Sequence, residues 1–259
     1  MTNADVHEDA THGHDDAPDP QEEVTPWRHS DVNLTLLFPP FPDPAAAERR
    51  PLPPHDPVRA RRVVEELGTV AEVLERLPDR PVGDLAWPEV RADLDFVSVG
   101  CWGNVVAVFE PALGSDLLCE AMTAEVARQR ERHPEARIVG SVELDYGNSY
   151  LEDHVVLPTG EEVFAGGWDC DDEEGWSFVG DPEGLLRALG IGREEAAEAG
   201  FDLDDEPRDR VWSDLGLLAL GLHGPLAGGG VEHRRVSTFR VRRSEVGAGN
   251  LDDVWLRRF

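Results

Sequence analysis

Between Leu94 and Val179 the chain repeats one pattern: a short β-branched or apolar run, a turn signal, then another such run. Leu94 to Val99 and Asn104 to Glu110 flank Gly100-Cys101-Trp102-Gly103, which predicts a hairpin. Arg137 to Asp145 and Tyr150 to Leu157 flank Tyr146-Gly147-Asn148-Ser149 in the same way. Pro158-Thr159-Gly160 turns into a further strand over Glu161 to Ala165, and Trp176 to Val179 reads as another. Connections this tight leave no room for the crossover helices that parallel strands need, so the strands are expected to pair antiparallel. Val32 to Phe38 predicts a first strand, and Arg234 to Arg243 alternates like a late one.

Helix signals surround these strands. Asp56-Pro57 places a cap and a first-turn proline before Val63, Val64 and Leu67, with Gly68 as the stop. Thr69-Val70-Ala71-Glu72 has the form of a capping box and predicts a short helix to Leu77. Asp116 opens a helix that runs to about Arg132 before Pro134. Asp181-Pro182 opens another with Leu185, Leu186 and Leu189 on one face and Gly190 at its end, followed by a short helix over Arg193 to Ala199. The most apolar helix, capped by Asp209, carries Val211, Trp212, Leu215, Leu218, Ala219 and Leu222 and is expected to cross the sheet as the central core helix. The fold class that follows is α+β: a mainly antiparallel sheet of five to seven strands covered by helices on one face.

Composition sets the boundaries. Residues 1–26 hold eight acids, three histidines and no arginine, and are expected to form a disordered acidic N-terminal tail. Residues 27–230 read as a single α+β domain, with a proline-dense connector over 39–57. Residues 231–259 reverse the charge, with seven arginines against four acids, and read as a strand and short helix packed on that domain.

Of the 259 residues, 53 are acids and 24 are bases, which gives a net charge of −29. Every base is an arginine. The absence of lysine excludes Schiff-base chemistry, a lysine general base and a phosphate-loop lysine. Arginine without lysine suits a GC-rich genome, and excess acid suits a salty cytoplasm. Nucleic acid is not an expected partner, because 49 acids against 17 arginines in residues 1–230 oppose the local surplus at the C-terminal end. The longest apolar run, Leu215 to Leu222, is too short to span a bilayer. The acidic start (Asp5, Glu8, Asp9) is unlike a signal peptide, so the expected compartment is the cytoplasm. Cys101, Cys119 and Cys170 have neither disulfide nor zinc spacing.

Candidate chemistry is sparse. His7, His12 and His14 sit among acids and read as solvated tail. Asp169, Asp171, Asp172, Glu173 and Glu174 cluster between two tryptophans, but Glu174 and Gly180 occupy the sixth and twelfth places of a calcium loop and fail its pattern. Asp202, Asp204, Asp205 and Glu206 precede a helix, where the macrodipole favours acids. Cys101 would need a histidine partner to act as a nucleophile, and none stands out. His154 and Asp153 are neighbours on a strand, so their side chains point to opposite faces and form no site. No GxSxG, HExxH, Walker loop or dinucleotide fingerprint occurs, and no motif implies a cofactor. Trp102, Tyr146, Trp168 and Trp176 all flank glycines in turns or strand ends, and are the candidate binding residues if the hairpins lie side by side.

Leu36-Leu37-Phe38-Pro39-Pro40-Phe41-Pro42, Val99-Gly100-Cys101-Trp102-Gly103, Val139 to Tyr146 and the apolar helix near Trp212 resemble an uncharacterised family of actinobacterial proteins labelled only as a domain of unknown function. The resemblance covers roughly residues 30–223 and implies no activity. Two functional readings stand. One is a non-enzymatic acidic binding module, inhibitor-like or immunity-like, for a basic protein. The other is a metal-assisted hydrolase using the loop carboxylates Asp169, Asp171 and Asp172.

Overall fold

Strand alternation organises the molecule from its first element. The computed structural model describes residues 19–26, 30–42, 52–115, 120–169, 175–221 and 233–256. In β1 (Asp31–Leu37), Val32, Leu34 and Leu36 are buried on one side while the residues between them are half-buried. The other strands are β2 (Val70–Arg76), β3 (Arg80–Pro81), β4 (Phe96–Trp102), β5 (Val105–Phe109), β6 (Arg137–Asp145), β7 (Ser149–Val156), β8 (Glu162–Trp168), β9 (Trp176–Gly180) and β10 (Arg235–Arg243). They form one ten-stranded sheet in the order β2-β10-β4-β5-β1-β6-β7-β8-β9, with β3 also paired to β10. Every pairing is antiparallel. The α+β class holds, and the sheet is wider than the five to seven strands expected.

The helices are α1 (Pro57–Glu66), α2 (Glu120–Arg132), α3 (Pro182–Leu189), α4 (Arg193–Glu198), α5 (Trp212–Ala219) and α6 (Glu245–Val254). They cover both faces of the sheet, not one. On the first face Leu34, Val99, Val108, Ile138 and Phe239 pack with Val64 of α1, Met122 of α2 and Leu251 of α6. On the second, Val139, Val155, Val163 and Ala165 pack with Leu185 of α3, Ala196 of α4 and Leu215 of α5. The strands themselves call for this, since β4 is buried at six consecutive positions and so needs cover on both sides. The apolar helix α5 packs on β6 and β7 on the second face.

Local signals behave as expected at most ends. Asp56 caps α1 by accepting from the Val58 and Arg59 amides, and Asp181 caps α3 by accepting from Gly184. Gly190 takes a left-handed conformation, φ 75°, to close α3. Asp209 does not cap α5: the cap position is Val211, which offers no side-chain acceptor. The expected helix over 69–77 is strand β2. The Thr69 hydroxyl, instead of capping a helix, donates to buried Glu110 at 3.2 Å. Glu72 and Glu75 meet Arg242 and Arg240 of β10 at 2.8 and 3.4 Å. Cross-strand charge pairing and the β-branched Val70 and Val73 thus outweigh a local capping signal. The β4–β5 turn is only Gly103-Asn104, because Gly100 to Trp102 continue the strand.

The arginine-rich segment is woven into the sheet, with β10 between β2 and β4. Arg243 reaches Glu110 at 2.7 Å with both side chains largely buried, and Glu110 also accepts from the Ala112 amide at 2.9 Å. Residues 19–26, read above as the end of the tail, are tied down: Glu23 bridges Val90, and the Thr25 amide donates to the Trp255 carbonyl at 2.7 Å. Among the described residues no helix is long and apolar enough to cross a membrane.

Candidate functional site

The β7–β8–β9 end of the sheet collects most of the unusual side chains. Alternation along β7 sends Tyr150, Glu152 and His154 to the first face and Leu151, Asp153 and Val155 to the second. On the first face Glu152, fully buried, lies 2.5 Å from His154 Nε2 and accepts from the Tyr150 hydroxyl at 3.3 Å. His154 therefore pairs with the residue two positions away, as strand geometry requires, and not with Asp153. The Phe164 ring sits 4.9 Å from the imidazole.

Also on that face, Trp168 stands between Tyr146 and Tyr150 with ring separations of 5.6 and 5.5 Å. The Tyr146 hydroxyl donates to the Val254 carbonyl at 3.2 Å, which fastens this cluster to α6. Trp176 pairs with Gly167 across β8 and β9. Gly167 is obligatory there, because its φ is +154° and a Cβ would stand 2.0 Å from the Gly175 carbonyl oxygen.

On the second face a cleft of about 200 Å³ opens between β7, the first residue of β9 and the start of α5. Asp153, Trp176, Arg210 and Trp212 line it, with Glu143 and Asp169 also on its wall. Burial pushes the Asp153 carboxyl up to about 7, against the pull of the Ser141 hydroxyl opposite. Arg210 is fixed by a hydrogen bond from Nη2 to the Leu203 carbonyl at 2.8 Å and by the Trp212 ring, 5.7 Å from its guanidinium carbon. Trp212 donates its indole N–H to the Pro207 carbonyl at 2.8 Å and stacks on Phe178 at 4.9 Å. Among the described residues, four buried side-chain polar atoms have no hydrogen-bond partner, and three of them, Asp153 Oδ1, Trp176 Nε1 and Arg210 Nε, belong to residues that border this cleft while being closed off from solvent themselves.

Of the four aromatic residues singled out from sequence, Tyr146 and Trp168 touch on the first face, while Trp176 packs on the second face beside the cleft. Trp102 is elsewhere. It is buried in a small apolar cluster with Ala107 and Val236, and its indole donates to the Arg235 carbonyl at 3.0 Å. Asp169 is exposed and donates its amide to the Ser149 carbonyl at 2.8 Å. Asp171 and Asp172 lie outside the described residues, as do Cys119, Cys170 and the tail histidines. Among the described residues no three histidine, cysteine or acidic side chains are grouped to hold a metal.

Cys101 is buried, and burial pushes its thiol up to about 12. His55 lies beside it, but Nδ1 accepts from the Cys101 backbone amide at 3.1 Å. Its Nε2 lies 2.9 Å from Ser237 Oγ, and that hydroxyl donates to Asp79 at 2.8 Å. With Nδ1 accepting, the neutral imidazole donates from Nε2. The serine is thus a relay between histidine and carboxylate, and the histidine does not serve it as a base.

Asp153 and Arg210 were not among the residues expected from sequence. Asp153 had a legible signal: it is the one carboxylate in the otherwise apolar stripe Leu151, Asp153, Val155, Leu157. Arg210 had none, because it sits in an irregular segment with no periodicity.

No curated protein and no solved structure matches the chain. A sequence profile matches residues 14–258, nearly the whole length, and on that match the chain belongs to a family of unknown function, DUF6333.

Proposed function

We propose that this protein is a non-enzymatic, cytoplasmic binding module that takes an extended basic segment of a partner protein along β9, in the manner of an acidic inhibitor or immunity-type protein. One observation carries the reading: β9 is an unprotected edge in an acidic frame. It pairs with β8 on one side, and among the described residues nothing pairs with its other side. Edge strands are ordinarily blunted by charges or proline. The opposite edge follows that rule, with Glu72, Glu75 and Arg76 on β2. The β9 sequence Trp-Ser-Phe-Val-Gly carries neither, and Val179 is 64% exposed. Exposed Asp169 flanks one end, and exposed Asp181 and Glu183 flank the other. An added strand would gain main-chain hydrogen bonds from the open edge and selectivity from these carboxylates.

The test is amide hydrogen exchange with a short peptide of alternating arginine and valine as the probe, and its glutamate–valine counterpart as control. Protection of β9 amides by the arginine peptide at low salt, lost at high salt and in the Val179→Lys variant, is expected. No protection, or equal protection by the glutamate peptide, defeats the proposal. Protection that grows with protein concentration without peptide assigns the edge to a second copy instead.

A further inference from the structure

We infer that residues 52–55 form a strap over the flank of β4 that protonation of His55 releases, uncovering the apolar cluster around Trp102. This goes beyond the β9 proposal and is independent of it, since it concerns β4 and β10 and not the β9 edge.

The strap fills a gap in the sheet. β10 pairs with β4 only from Phe96 to Val99. Beyond that point β10 turns to β3, where Arg235 and Val236 pair with Pro81 and Arg80. The backbone of Cys101 is left without a strand partner on this flank, and the segment before α1 takes both of its groups. The Cys101 amide donates to His55 Nδ1 at 3.1 Å, and the Cys101 carbonyl accepts from the Asp56 amide at 2.9 Å. Leu52 packs on the cluster of Trp102, Ala107 and Val236, and its carbonyl accepts from Arg234 Nη1 at 3.4 Å. Pro53 lies against Gly103, where a Cβ would stand 2.9 Å from the proline ring. Asp56 also caps α1, so the strap ends at a fixed point.

The contact with Cys101 exists only while His55 is neutral. Nδ1 accepts there, so the ring proton sits on Nε2 and points to Ser237 Oγ, 2.9 Å away. An imidazolium carries an N–H on both nitrogens and turns a second donor toward the Cys101 amide, so that bond is lost. The ring is half-buried and open to solvent protons. Asp79, between β2 and β3, and Asp56 beside the ring favour the cation. Arg76 of β2 opposes it and is paired with Asp79 at 2.7 Å. Arg235 of β10 donates to the Asp79 carbonyl. Burial is the largest influence and holds the ring below its usual 6.5. A folded-state value below the unfolded one means that the strapped form is fully favoured above 6.5 and loses ground as pH falls below it. The released form gains by up to about tenfold for each pH unit below 6.5. Release leaves the Cys101 N–H and C=O open on the flank of β4 and lifts Leu52 off the Trp102 cluster.

The test is amide hydrogen exchange in the full chain at about pH 8 and about pH 5.5, corrected for intrinsic rates, in wild type and His55→Asn. The asparagine Oδ1 can accept from the Cys101 amide as Nδ1 does, but it does not titrate. In wild type the Cys101 amide should lose roughly three- to tenfold in protection at the lower pH. Val108, on β5 between β4 and β1, should keep its protection and report that the sheet is intact. In His55→Asn the Cys101 amide should be equally protected at both pH values. Ring nitrogen shifts of His55 give a second readout: the Nε2–H tautomer at the higher pH, and a titration in step with the loss at Cys101. Undiminished Cys101 protection in wild type overturns the inference, and so does an equal loss in His55→Asn. If asparagine leaves Cys101 unprotected at both pH values, the ring decides: a wild-type loss in step with its titration supports the strap, and a loss without it overturns the strap. The β9 experiment reads other amides and is unaffected by any of these results.

Discussion

Replacing Asp153 with asparagine should make this protein more stable, and increasingly so as pH rises. Its carboxyl titrates at about 7 in the folded chain against 3.8 for an ordinary aspartate, mainly because burial disfavours the anion. A raised folded-state value means that the folded state holds the proton more tightly than the unfolded chain. The resulting penalty on folding is absent below 3.8, grows through the interval, and is complete above 7. A difference of about 3 units corresponds to about 4 kcal/mol at its plateau. Between about pH 5.5 and 8.5 the wild type should lose about 2 kcal/mol relative to the variant. Asparagine keeps the shape and can still bond Ser141, but it does not ionise. Urea unfolding of both proteins across that range gives the two stability curves. Parallel curves would refute the reasoning, because they would mean that Asp153 ionises in the fold as freely as in the unfolded chain.

Four further outcomes are expected. Arg243→Met should destabilise the protein by roughly 3–5 kcal/mol, because it leaves the Glu110 carboxylate buried without its cation; denaturant midpoints check this, and Arg243→Met with Glu110→Leu should recover much of the loss. Gly167→Ala should cost more than about 3 kcal/mol, since a Cβ meets the Gly175 carbonyl at 2.0 Å; soluble expression with an unchanged melting temperature would contradict it. In a Cys119→Ser, Cys170→Ser background, Cys101 should ignore a thiol reagent until the protein unfolds; labelling of the native protein would show an accessible thiolate. Millimolar magnesium, manganese, calcium or zinc should leave the melting temperature unchanged; a rise by mass action would revive the reading of Asp169, Asp171 and Asp172 as metal ligands.

The strands were legible wherever apolar residues alternate between turn signals. The β6–β7 hairpin, β9 and α3 lie within a residue or two of where the sequence places them. The failures have physical causes. Thr69 to Glu72 satisfies the local rule for a helix start, yet the acids of that segment find arginines on a strand more than 150 residues away, and long-range pairing wins. The β4–β5 turn was misplaced because glycines at 100 and 103 look alike in sequence. Only Gly103 has the positive φ of 65° that a two-residue turn requires. At the candidate site, Tyr146, Trp168 and Trp176 drew attention as turn aromatics, while Trp102 belongs to a different cluster. Asp153 was visible as a polar interruption of an apolar stripe. That Arg210 would border the same cleft depends on an irregular segment whose path no periodicity encodes.

The position of β10 has a consequence for biosynthesis. Among the described residues this strand comes after every other strand, yet it lies between β2 and β4. The block from β4 through β9 can close on itself as it leaves the ribosome, since its neighbours have all been made. β2 must wait until residues 235–243 have emerged, and until then β4 presents an unpaired flank. Emergence of β10 thus inserts an arginine-bearing strand between two waiting edges, which draws distant parts of the chain together in one step.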